Sequence, residues 1–357
     1  MPRADPTQPP TGRGPWLPRR RFLGAVAGCA AAATLLWRRL SASDEDDAAP
    51  HDGPSSVAGA RAVPRGEVPQ FPGGPALAFL ALGDTGWGGE SRASVVAAME
   101  RTASVLPFSS VCLLGDNFYP HGVQSIDDPQ WSGFERAFAG PHLAVPFHAA
   151  LGNHDHHGNV EAQVEYSATS SRWRMPGQYY SFVERAGEGF DAEFFVLDTE
   201  CIRREERAST EQLRWFEDKL SRSRVRWKIV VGHHPVRSNG EHGGIDRVRD
   251  AIEDLMHDHG VALYLSGHDH DLELLATERG FLQVVSGAGS STRDMCWGRD
   301  TLFASAAPGF VWVGLELDRL QLVFVDAVRG PLFARSFALR ELVARAPAVS
   351  DPEVSAV

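Results

Sequence analysis

Apolar and polar positions divide this chain into short buried runs, each closed by a polar block. The runs are Ala76–Leu82, Val111–Leu114, Phe147–Leu151, Trp227–Val231 and Ala262–Leu265. They are mostly apolar throughout rather than alternating, the pattern of strands covered on both faces. Helical patterns lie between them. Ser91–Ser104 is amphipathic, Ser209–Ser221 opens on a capping box, Ser209-x-x-Gln212, and Ile245–His259 stops before Gly260, a residue suited to the position after a helix. Further on, Phe281–Ser286, Phe310–Leu317, Leu320–Ala327 and Leu332–Phe337 read as consecutive strands, with Asp318-Arg319 as a tight hairpin turn. Strand–helix alternation followed by a run of strands predicts an α/β fold with two packed mixed sheets and helices outside.

The polar blocks that close the first five runs are chemically unusual. They read Gly83-Asp84-Thr85-Gly86, Gly115-Asp116-Asn117-Phe118-Tyr119, Gly152-Asn153-His154-Asp155, Gly232-His233 and Gly267-His268-Asp269-His270. A lone Gly-Asp or Gly-His after a strand is ordinarily a turn. Five in series, each at the carboxyl end of a strand where α/β sheets bind ligands, point to one convergent site. Carboxylate, phenol, amide and imidazole together suit two hard or borderline metal ions rather than a structural zinc. A hydrolase is the default reading. The glycine that opens each block is expected to let the chain turn sharply before the ligand.

The series resembles the purple acid phosphatases, within the calcineurin-like metallophosphoesterases, and most of all their small, mammalian-type, tartrate-resistant branch. The resemblance rests on Leu114-Gly-Asp-Asn-Phe-Tyr119, Gly152-Asn-His-Asp-His156, Gly158-Asn159, Gly232-His233, Glu241-His242-Gly243 and Leu265–Leu272, and runs from about residue 76 to 337. It implies an αββα sandwich of two mixed β-sheets flanked by helices. It also implies that Asp84, Tyr119 and His270 bind Fe(III), that Asn153, His233 and His268 bind a divalent metal (Fe(II), Zn or Mn), and that Asp116 bridges the two. Tyr119 is the discriminating residue: relatives in the wider superfamily open with Asp-x-His, whereas position 86 is glycine here. Phenolate favours ferric iron, and its charge transfer gives the family its colour.

The resemblance further implies an acid phosphatase acting on phosphomonoesters, with hydroxide generated at the metal pair attacking in line. His154 and His242 match the family's two non-ligand histidines, which contact phosphate and protonate the leaving group. Asp155 is a candidate to orient His154 or to cap a helix start, and Asn117 to contact phosphate or form an Asx turn. His234 is a candidate pocket residue. His156 and His157 read as exposed rim groups, and His121, His142, His148, His257 and His259 as structural or solvated. Between Cys201 and Ser209 the chain lacks the longer repressive loop of the tartrate-resistant enzymes, so it is expected to be active as made.

Charge and composition add the setting. Of 357 residues, 43% are hydrophobic and 23% charged, ordinary for an enzyme. Residues 1–40 hold seven arginines and one aspartate, a net +6, so the rest carries −17 of the total −11. An acidic body disfavours nucleic acid but not a small anionic substrate, because bound metals set the local potential. The expected partners are small phosphomonoesters, with phosphoproteins as a further class, and the expected state is a monomer.

Residues 1–43 read as an export signal or signal-anchor: Arg19-Arg20-Arg21-Phe22-Leu23 resembles a twin-arginine signal, and Leu23–Trp37 is short for a spanning helix. Ser41-Ala42-Ser43 offers a cleavage site, Val26-Ala27-Gly28-Cys29 a lipobox, and flanking Arg38 and Arg39 a retained anchor. The expected location is the periplasm or the extracellular space, with membrane attachment only through this segment. Residues 44–75 read as a disordered linker, 76–345 as the catalytic domain and 346–357 as a flexible tail. Cys112 reads as core; Cys201 and Cys296 read either as a disulfide or as two free thiols.

Alternatives of other classes are a phosphodiesterase or nucleotidase on the same metals, a redox centre, and a non-enzymatic metal- or phosphate-binding surface protein. No residue pattern in Val123–Trp131, Glu161–Met175 or Ser290–Asp300, the expected pocket loops, names a substrate.

Overall fold

The structure, a computed structural model, describes residues 74–187 and 189–343, all within one unit, Pro54–Val357. The export signal, Cys29, nearly all of the linker and the tail lie outside the described residues. Among the described residues, no helix is long and apolar enough to cross a membrane.

The apolar runs form two seven-stranded mixed sheets. The strands are β1 (Leu77–Leu82), β2 (Ser110–Leu114), β3 (Phe147–Ala150), β4 (Trp173–Arg174), β5 (Tyr180–Arg185), β6 (Asp191–Val196), β7 (Trp227–Val231), β8 (Leu263–Ser266), β9 (Leu272–Ala276), β10 (Leu282–Ser286), β11 (Thr301–Ser305), β12 (Gly309–Leu315), β13 (Arg319–Asp326) and β14 (Gly330–Ala338). One sheet has the order β14-β13-β12-β1-β2-β3-β4 and the other β11-β9-β10-β8-β7-β6-β5. β1 to β4 run parallel, as do β6, β7, β8 and β10, while β12, β13 and β14 in the first sheet and β5, β9 and β11 in the second join by antiparallel pairing. The αββα sandwich expected from the resemblance is therefore the observed fold.

Burial on both faces explains the continuous apolar runs: every residue of β1 and β12 is buried. The sheets face each other through large rings, with Phe79 of β1 edge-on to Phe194 of β6 at 5.1 Å. Helices Gly89–Ala103 and Pro129–Ala137 contribute Val95, Met99, Trp131 and Phe134 to this core. Helices Arg207–Arg222 and Asp246–Asp258 close the other side, packing Phe216, Leu220, Ile252 and Met256 with Phe195, Val230 and Tyr264. Gly260 follows helix Asp246–Asp258 at φ +65°, as its position suggested.

Several short elements escaped the apolar pattern: helices Pro129–Ala137, Val160–Tyr166 and Thr199–Arg203, and strands β4, β5, β6, β9 and β11. β5 is only half-buried and β6 alternates at its start, so neither reads as a continuous run. The capping box is also corrected. Glu206 precedes the helix, and Ser209 lies inside its first turn, donating to the Glu206 carbonyl. Gln212 is fully buried and does other work: its amide accepts from the Asp198 N–H at 2.8 Å and donates to the Asp198 carbonyl at 3.0 Å. Between Arg203 and Arg207 the two helices nearly abut, so no long loop interrupts them. Cys112, Cys201 and Cys296 are free thiols, the first two buried and the last exposed.

Gln212→Ala would orphan two buried backbone groups, so a loss of about 2–4 kcal/mol in unfolding free energy is expected, against about 1 kcal/mol or less for Ser209→Ala. Urea unfolding of both variants checks this; a larger loss from Ser209→Ala would restore the capping box.

Candidate metal centre

The parallel strands of both sheets end at the same edge, and their polar blocks meet there. A backbone bond ties the two rims together, Gly83 donating to Ser286 at 2.7 Å, and Gly267 donates to His233 at 3.0 Å between neighbouring strand ends of the second sheet. The glycines do not serve mainly as turns, as expected from sequence. Only Gly115, at φ +88°, is left-handed; the candidate ligands Asp84, Asp116 and His268 take that conformation themselves, at φ 58°, 51° and 70°. Such non-glycine geometry costs of order 1–3 kcal/mol each and gathers at functional sites. The glycines are needed for close approach: a Cβ on Gly115 would meet the His233 ring, and one on Gly152 the Asp116 carboxylate.

One cluster centres on Tyr119. Its hydroxyl lies 3.0 Å from Asp84 Oδ1, 2.7 Å from Asp116 Oδ2 and 3.3 Å from His270 Nε2, and His270 Nε2 is 3.4 Å from Asp84 Oδ1. Ser291 Oγ holds His270 Nδ1 at 2.7 Å. The second cluster shares Asp116: His233 Nε2 lies 3.5 Å from Asp116 Oδ2 and 3.1 Å from Asn153 Oδ1. His233 Nδ1 meets the Leu114 carbonyl at 2.8 Å, so both histidines direct Nε2 into the site. The His268 ring packs on those of His233 and His242, at 5.1 and 4.6 Å between centroids. Asp84, Asp116 and His233 offer ligand atoms within 4.8 Å of one another, as do His233, His234 and His268. All seven expected ligands are thus brought together.

Electrostatics mark the cluster as a cation site. Burial, then the Asp116 and Asp84 carboxylates, push the Tyr119 phenol well above its ordinary value. Burial opposes charge on His233, but Asp116 beside it holds the imidazolium up to about 10; Asp116 is correspondingly driven far down against its own burial. Burial and then the neighbouring imidazoles push His268 well below its ordinary value. The protonated His233 imidazole thus balances part of the buried negative charge, the role a bound cation would take.

The neighbours are only partly as expected. His154 stands beside Tyr119, 4.3 Å between ring centroids, and its Nδ1 meets the Pro120 carbonyl at 2.7 Å. Asp155 neither orients it nor caps a helix. It is fully buried and accepts from Gly152 N at 2.9 Å, Asn117 N at 3.2 Å, Asn117 Nδ2 at 3.0 Å and Gln163 Nε2 at 3.1 Å. Asn117 is buried with it and donates to the Ala150 carbonyl, so it is neither an Asx turn nor a phosphate contact. His234 is fully buried against Thr199 and Glu200 rather than lining a pocket. His156 pairs with Asp198 at 3.0 Å, whereas His157 is exposed.

Three contributors were missed from sequence. Asp269, between two candidate ligands, turns its carboxylate the other way: it accepts from His242 N at 2.8 Å, Gly243 N at 3.1 Å and Ser238 Oγ at 2.5 Å, fixing the His242 loop. Arg293 brings its guanidinium onto His242 Nε2. Trp87 stacks on Tyr119 at 4.9 Å with its outer face about half exposed. Only the ligand-flanking position of Asp269 was a usable signal.

The family model for calcineurin-like phosphoesterases matches residues 77–272, more than half the chain. The chain therefore belongs to the calcineurin-like phosphoesterases. It is 36% identical over 241 residues to human tartrate-resistant acid phosphatase type 5, which covers 60% of this chain and 74% of that protein. It is 30% identical over 271 residues to purple acid phosphatase 4 of Arabidopsis thaliana, covering 70% and 80%. Two solved structures share the fold: GAP50, the anchor in the inner membrane complex of Plasmodium, at TM-score 0.68, 23% identity and coverage of 73% and 88%, and purple acid phosphatase PPD1 from yellow lupin (Lupinus luteus) seeds, at 0.61, 18%, 76% and 56%.

Asp155→Ala would strand several buried donors, so it is expected to lower the unfolding free energy of metal-free protein by about 3–5 kcal/mol. His154→Ala should cost about 1 kcal/mol or less. Chemical unfolding with chelator present checks both; equal losses would argue that the two side chains act as a unit.

Proposed function

We propose that this chain is an exported acid phosphatase that hydrolyses phosphomonoesters at a binuclear metal centre. The observation that carries the reading is the pair of clusters sharing Asp116, with a phenol in one and an amide and imidazole in the other. The names of the relatives support the activity. Asp84, Tyr119 and His270 would hold one ion, Asn153, His233 and His268 the second, and Asp116 both. Two hard oxygens and one imidazole favour Fe(III) in the first position; amide and imidazoles accept Fe(II), Zn or Mn in the second. When bound, the pair supplies positive charge against the phosphoryl oxygens and makes water more acidic.

The chain's own residues do the rest. His154 lies beside Tyr119 and His242 beside His268, and in this reading they hold the phosphoryl group and pass a proton to the departing oxygen. Burial and then Arg293 lower the His242 pKa from its ordinary value. Export is supported by the N-terminal sequence alone, through the twin-arginine pattern and short apolar stretch.

Protein purified without added metal is expected to absorb broadly in the visible and to hydrolyse 4-nitrophenyl phosphate with an acidic optimum, faster than bis(4-nitrophenyl) phosphate. Tyr119→Phe should remove the visible band. A colourless, zinc-only but fully active protein would overturn the ferric assignment, and faster diester hydrolysis would favour the phosphodiesterase.

Metal uptake should also be pH-dependent. With His233 protonated up to about 10 and Tyr119 protonated above its ordinary value, both lose a proton when a metal binds near neutrality. Apparent affinity is therefore expected to rise with pH, with about two protons released per pair loaded. Calorimetry in two buffers of different ionisation enthalpy measures that number; no release would contradict the ligand roles of both residues.

A further inference from the structure

The loops carrying His242 and Arg293 are joined into one wall. Cys296 N donates to the Asn239 carbonyl at 2.8 Å, and Gly240 and Met295 form an antiparallel bridge. Arg293 N donates to the His270 carbonyl at 3.0 Å, which ties this wall directly to a candidate ligand. The first loop is pinned from beneath, by Asp269 on the His242 and Gly243 amides and by Glu273 on Asn239.

On this fixed support the Arg293 guanidinium rests against His242, whose ring packs on His268. The side chain remains 36% exposed. Its carboxylate neighbour, Glu241, is 3.8 Å away and itself 64% exposed, a loose surface pair worth little. A guanidinium carries five donors in a rigid fork that matches an oxyanion, and one contact with His242 leaves most of them for a ligand.

We infer that Arg293 is a specificity residue that recognises a second oxyanion, carboxylate or phosphate, on the leaving-group side of the phosphomonoester. The inference rests on the phosphatase reading above. A phosphoryl group held beside His242 places the group it is bonded to along the Arg293 wall. Neutral phosphomonoesters would leave the guanidinium with solvent, whereas an anionic one gains a charge-assisted, bidentate contact.

The test compares phenyl phosphate with 3-carboxyphenyl phosphate and 1,3-phenylene bisphosphate, in wild type and in Arg293→Gln. Wild type is expected to favour both anionic substrates by roughly 10- to 100-fold in kcat/KM, the worth of a hydrogen bond to a charged group. Arg293→Gln should bring both ratios close to one, whatever its absolute rates. A preference confined to one of the two compounds would identify which oxyanion the wall takes. Binding is measured in parallel, by calorimetry of the metal-loaded protein with phenylphosphonate and 3-carboxyphenylphosphonate. Tighter binding of the carboxylated compound by wild type, lost in Arg293→Gln, supports the assignment even if turnover fails and the phosphatase reading with it. Equal affinity for the two phosphonates, binding of neither, or a preference that survives in Arg293→Gln overturns it.

Discussion

The placement of one buried carboxylate governs the rest of this site. Asp116 leaves β2 in a left-handed conformation and turns both oxygens inward: Oδ2 faces the Tyr119 hydroxyl and His233, and Oδ1 takes the His154 amide. Burying such a group without positive charge is costly, and here imidazolium and phenol protons stand in for that charge. Two cations on either side of the same carboxylate would satisfy it more completely. In the proposed reading the strain at Asp84, Asp116 and His268 is offset by this coordination.

The surrounding fold can be understood as what keeps that carboxylate in place. Parallel strands from both sheets end along one rim, so residues distant in sequence converge without long loops. Gly115 and Gly152 are tolerated as gaps because any side chain there would occupy the volume of His233 or Asp116. Asp155 locks the ends of β2 and β3 together, and Asp269 performs the same service for the His242 loop. Two aspartates that lie beside candidate site residues in the sequence are thus spent on holding the backbone of the site.

Much of this was legible in the chain. Burial on both faces leaves a continuous apolar run, so the central strands and their terminal ligands stood out together. Tyr119 was readable because its register after Asp116 is specific. What escaped were elements without that signature, such as half-exposed β5, and residues whose role depends on direction rather than type. Asp269 and His270 are adjacent, yet one carboxylate points to a loop and the other side chain to the cluster. Gln212 resembles a capping residue until its buried partner, the Asp198 backbone, is seen. Arg293 sits in a loop with no motif, and only the fold brings it to His242.

The fold by itself does not assign chemistry, since an anchor protein and a phosphatase both share it. The case rests on Asp116 serving both clusters at once. Metal stoichiometry of Asp116→Ala beside Asn153→Ala, by mass spectrometry of the elements in purified protein, tests this most directly. The account predicts about two ions per chain in wild type, loss of both in Asp116→Ala, and selective loss of the divalent ion in Asn153→Ala. Two ions retained in Asp116→Ala, or wild type that holds one ion or none after loading, would contradict it.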